Sequence, residues 1–137
     1  MLLRLGFVLL CFYCNKRAAT AADHVLPWSR LGLDSLANLV PVCEQCNGSK
    51  LEAVPAVEHV VAALCRDRIK LEEIADRLHW PAELSRVILA ARGIYLSTPE
   101  QSPTWLSIGK SVPFELSALP DWIRKPKPDQ EPECQSD

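Results

Sequence analysis

Apolar residues recur at helical spacing through the middle of this 137-residue chain. Val57, Val60, Val61 and Leu64 form one stripe, Leu71, Ile74, Ala75 and Leu78 a second, and Leu84, Val87, Ile88 and Ala91 a third. Each follows the i, i+3, i+4 rhythm of a helix face and predicts a helix. Pro55 and Pro81 stand where helices start, and Gly93 where one ends. Past Ser97 the period is lost. Short apolar stretches, Trp105–Ile108 and Val112–Leu116, flank Gly109-Lys-Ser and predict a hairpin, with Pro113 confining the second strand to an edge. Seven of the 11 prolines lie in this last part. From Arg124 to Asp137 the chain is charged and proline-rich without apolar period, the composition of a disordered tail.

Ahead of the helical region the pattern is different. Met1 to Cys11 is an apolar run broken only by Arg4, too short to cross a membrane and without a small-residue cleavage site. It reads as an apolar strand leading into Cys11-Phe-Tyr-Cys14. A second Cys-x-x-Cys, Cys43-Glu-Gln-Cys46, closes the segment. The two-residue gap lets both sulfurs of a turn meet one ion, and four thiolates complete a tetrahedral, structural Zn²⁺ shell. Two disulfides or four unrelated buried cysteines are the alternatives. Disulfide scaffolds spread their cysteines more evenly than two tight pairs. Of the six cysteines, Cys65 reads as a small buried hydrophobe within a helix and Cys134 as a free thiol. Cysteines used as thiolates, with no export signal, imply a reducing, cytoplasmic compartment.

Between the knuckles lie Asp23-His24-Val-Leu-Pro27 and Asn38-Leu39, and Asn47-Gly-Ser-Lys50 follows the second. Asp23 offers a hard oxygen suited to Mg²⁺ or Mn²⁺, and a neutral imidazole such as His24 suits proton abstraction from water. This order of residues, over roughly the first fifty, resembles the HNH nuclease family. The resemblance implies a small ββα-metal nuclease core with structural zinc; with the helical extension and proline-rich tail read from the pattern above, the fold class is α+β. It implies Asp23 and Asn47 as ligands of a divalent catalytic ion and His24 as general base. Asn38 becomes the residue that ties the intervening loop and holds the base. It also implies cleavage of DNA phosphodiester bonds, one strand per active site. Where many members have two glycines after the Asp-His segment, this chain has Leu31-Gly32-Leu33, and Asn15 replaces the glycine that often follows the first knuckle.

The corresponding divisions are residues 1–54 for the nuclease core, 55–96 for the helical extension, 97–123 for short extended segments and 124–137 for the tail. Leu71 to Ile88 also bears a weak resemblance to a helix-turn-helix DNA-binding unit, with His79 in place of the turn glycine, the alternative being plain helices packed on the nuclease core. Charge refines the picture of the partner. The net charge is −2, yet residues 1–50 hold five Lys/Arg against three Asp/Glu, and the acid falls in the tail. Affinity for DNA depends on phosphate neutralisation, for which Arg17, Arg30 and Lys50 are the candidates. Binding by this chain alone should be weak, leaving room for an oligomer or accessory protein. A non-catalytic, zinc-stabilised DNA-binding or regulatory module is the rival function. No membrane partner is expected.

Overall fold

The computed structural model describes residues 9–27, 32, 34–128 and 130–134. Its first layer is a two-stranded antiparallel ribbon, β1 (Ala21–His24) and β2 (Leu39–Val42), followed by helix α1 (Glu44–Lys50). Asp23 pairs with Val40 and His24 with Leu39. Three helices follow, α2 (Val57–Leu64), α3 (Arg68–Leu78) and α4 (Leu84–Leu96). A second ribbon, β3 (Pro103–Ser107) with β4 (Lys110–Pro113), and the short helix α5 (Asp121–Arg124) complete the order. This is an α+β arrangement with a ββα unit at its front. Residues 1–8 of the apolar run lie outside the described residues, but Leu10 pairs with Ala18 just before the first knuckle.

The stripes of the middle region converge on one core. Val60 and Leu64 of α2, Leu71 and Ala75 of α3, and Val87, Ile88 and Tyr95 of α4 are buried with Val25, Leu26, Leu36 and Val40 of the front unit. Helix formation at α3 is helped by Asp67, whose side chain accepts from the Lys70 amide. His79 ends that helix in the left-handed conformation, at φ 51°. Gly93 does not end α4, which continues to Leu96, where the Ser97 and Thr98 hydroxyls bond back to the last carbonyls. A single glycine weakens a helix by only about 1 kcal/mol, less than the burial of Ile94 and Tyr95 beyond it returns.

Arg66, just past α2, ties the layers. Its guanidinium donates to the carbonyls of Ala63 (2.8 Å), Leu39 (2.7 Å) and Ala37 (2.9 Å). Burial lowers its pKa to about 10, so it stays charged at neutral pH. Arg66→Ala is expected to cost about 2–4 kcal/mol in denaturant unfolding, because the three carbonyls lose a charged donor. A loss below ~1 kcal/mol would show these bonds to be dispensable.

The tail departs from expectation. Cys65 and Cys134 form a disulfide across 69 residues, with Cα atoms 5.6 Å apart. This corrects the reading of Cys65 as an unpaired hydrophobe and Cys134 as a free thiol. It also weakens the inference of a reducing compartment, since disulfides persist in oxidising ones. Beyond Arg124 the described residues form no regular element, yet Glu131 pairs with Arg68 and Cys134 is fastened to Cys65 at the end of α2. No helix among the described residues is long and apolar enough to cross a membrane.

Candidate active site and metal cluster

Cys11 and Cys14 lie in a tight turn closed by the Asn15 amide on the Cys11 carbonyl, with Asn15 left-handed at φ 53°. Asparagine tolerates that conformation better than most residues. Cys43 caps α1, its sulfur accepting from the Cys46 amide at 3.4 Å. The four sulfurs lie within 4.8 Å of one another, with Cys14 and Cys43 4.0 Å apart. Sulfurs at about 2.3 Å from a tetrahedral zinc sit about 3.8 Å apart, so the cluster suits one such ion. Burial opposes ionisation of Cys43, but Arg17 and the Cys46 amide outweigh it and lower the thiol to about 6. Burial pushes Cys46 up to about 12. Arg17 donates to the Cys43 sulfur at 3.3 Å and the Cys46 sulfur at 3.7 Å. The guanidinium offsets thiolate charge, a different placement from the phosphate contact its sequence position suggested.

The second group of side chains lies at the end of β1. Asp23 is buried, and two groups meet its Oδ2. Tyr13, between the knuckle cysteines, donates its hydroxyl at 2.7 Å, and the Lys50 ammonium lies 3.0 Å away. Burial, then the Asp23 carboxylate, keeps the Tyr13 pKa well above the phenol range, so it remains a donor. Lys50 also donates to the His24 carbonyl at 3.0 Å. Its side chain is fully buried, which corrects its reading as a phosphate contact: the ammonium is spent inside. The ion pair explains how a lysine is tolerated there.

Asn38 is fully buried. Its Oδ1 accepts from the Leu26 amide at 2.9 Å and its Nδ2 donates to the Leu26 carbonyl at 3.1 Å, while its own carbonyl accepts from Val25 at 2.8 Å. These bonds draw the chain after His24 onto the 3₁₀ turn Leu36–Asn38 that precedes β2. Asn47 is half-buried on α1, one turn before Lys50. Residues three apart share a helix face, and Lys50 reaches Asp23 and His24. Arg30 lies outside the described residues. His24 is partly exposed, and its Nε2 lies 2.8 Å from Asp34 Oδ1.

Sequence reasoning missed Tyr13 and Asp34. Tyr13 reads as an ordinary residue inside a knuckle, and Asp34 as a polar loop residue. Neither has a spacing that announces its partner.

The structure thus has a ββα unit, a four-cysteine cluster suited to a metal ion and an Asp-His pair at the end of β1. Residues 11–56 match the family model described as HNH endonuclease. Over those residues the chain is similar to HNH endonucleases, a likeness that points to nuclease-type chemistry. No curated protein and no solved structure matches the chain.

Proposed function

We propose that this protein is a metal-dependent endonuclease that hydrolyses phosphodiester bonds in DNA, nicking one strand per active site. The observation that supports the reading is the meeting of β1 and α1: Lys50 bonds to both Asp23 and the His24 carbonyl, which docks the helix that carries Asn47 onto the end of β1. Asp23 and Asn47 are hard oxygen donors and fit Mg²⁺ or Mn²⁺. Both described contacts of the Asp23 carboxylate fall on Oδ2, so Oδ1 would be the oxygen offered to a cation. When bound there, the ion supplies positive charge beside the scissile phosphate and the departing 3′ oxygen.

The chain's own residues supply the rest. His24 takes a proton from the attacking water, and the products carry a 5′ phosphate and a 3′ hydroxyl. Asn38 fixes the backbone that follows the base. Tyr13 and Lys50 hold the Asp23 carboxylate and prevent its rotation. One site cuts one strand, so a double-strand break takes two sites or two encounters.

A non-catalytic zinc-stabilised DNA-binding module is favoured by one observation. The Lys50 ammonium already neutralises Asp23, and a binding module requires no further cation. Plasmid nicking with Mg²⁺ or Mn²⁺, with and without EDTA, separates the two. Nicked circles that accumulate before linear DNA, and vanish with EDTA, are expected of the enzyme. DNA binding without metal-dependent nicking would leave the module.

A further inference from the structure

We propose that Asp34 is the positioning residue of His24, and that the helical extension holds it in place; the proposal rests on the nuclease reading of His24. An ionised carboxylate only accepts hydrogen bonds. Contact between Asp34 Oδ1 and His24 Nε2 at 2.8 Å therefore places the imidazole proton on Nε2. In the neutral ring the lone pair is then on Nδ1, and the ring cannot turn without losing its partner. Which nitrogen of a histidine acts is set by the bond the other makes.

Asp34 could be a surface side chain that happens to meet a histidine, since it is 55% exposed. Its backbone argues otherwise. The Asp34 carbonyl accepts from Trp80 Nε1 at 2.6 Å. The Ser35 hydroxyl donates to Glu83 Oε1 at 3.0 Å. The Leu36 amide donates to the Pro81 carbonyl at 2.8 Å and the Ala37 amide to the Ala82 carbonyl at 3.1 Å. Four successive residues are thus bonded to the turn between α3 and α4, and Arg66 holds the Ala37 carbonyl from another side. Trp80 is itself set by its amide on the Ala75 carbonyl at 3.0 Å, just after left-handed His79. Ser35 is fully buried, so this segment cannot slide without breaking the core. An exposed carboxylate on a fixed backbone has one short reach, and it ends at His24.

The test compares the zinc-loaded full chain with Asp34→Asn, Asp34→Glu, Asp34→Ala and Trp80→Phe. Two quantities are measured: single-turnover nicking at saturating DNA, and the tautomer of His24 from ¹⁵N imidazole shifts above the ordinary imidazole range. Zinc content and DNA affinity, expected to match the parent, show that each variant is folded. The parent should show the Nε2–H tautomer. Asp34→Ala should show a mixture, and Asp34→Asn should nick roughly 10- to 100-fold more slowly, the range for removing a group that orients a working imidazole. Asp34→Glu should recover part of the rate, and Trp80→Phe should lose less than Asp34→Asn in the same direction. Parent-like nicking by Asp34→Asn overturns the proposal, as does an unchanged tautomer in Asp34→Ala. Parent-like behaviour of Trp80→Phe on both readouts overturns the part given to the extension. If the parent itself does not nick, the nuclease reading and the catalytic meaning of Asp34 fall together, and the tautomers alone decide whether it orients the ring.

Discussion

His24→Ala is expected to slow metal-dependent nicking by about two to four orders of magnitude, the usual contribution of a general base. Zinc content and unfolding midpoint should stay near those of the parent. The geometry makes the substitution clean. The imidazole is only partly buried and its described polar contact is the Asp34 carboxylate. What His24 gives the fold is backbone: its pairing with Leu39 and its carbonyl on Lys50, both of which alanine retains. A folded His24→Ala protein that nicks as fast as the parent would remove the assigned mechanism.

The second large effect is expected at the cysteine cluster. Purified protein should hold about one zinc per chain, as a single four-thiolate shell requires, and Cys43→Ser should lose both the metal and cooperative folding of the front unit. Serine is a good test here because of what it preserves. Cys43 caps α1 through its side chain, and serine is among the preferred capping residues, so the helix start is not what fails. What is removed is one ligand of an ion whose binding free energy in small zinc-supported peptides is about 10–16 kcal/mol. The hydrolytic ion should behave oppositely, leaving with mild EDTA while far-ultraviolet circular dichroism is unchanged. Retention of fold and metal by Cys43→Ser would rule out the zinc frame.

Much of this architecture was legible because its signals are local. Each knuckle is a four-residue pattern and each helix an apolar period, while Asp23, His24, Asn38 and Asn47 are read as a site only through their order's resemblance to a family. What could not be read depends on partners remote in sequence. Helical spacing put Lys50 on the face of Asn47, but spacing does not say whether that face meets solvent or a buried carboxylate. Arg17 looked free for phosphate because its sulfur partners come 26 and 29 residues later. Asp34 acquires its neighbours from the turn before α4, 46 residues on at Trp80. Cys65 and Cys134 are paired only by the return of the tail.

That return leaves the chain fastened twice, by fasteners that require opposite chemistry. Residues 11 to 46 are gathered by thiolates that must stay reduced until a metal takes them, whereas residues 65 to 134 are joined by thiols that must be oxidised. An oxidant reaching the chain too early would meet four sulfurs within 4.8 Å of one another, and could pair them with each other or with Cys65. Thiolate bound to metal is protected from this, since exchange and oxidation begin from the free thiolate. The order of maturation follows: metal first, tail bond second.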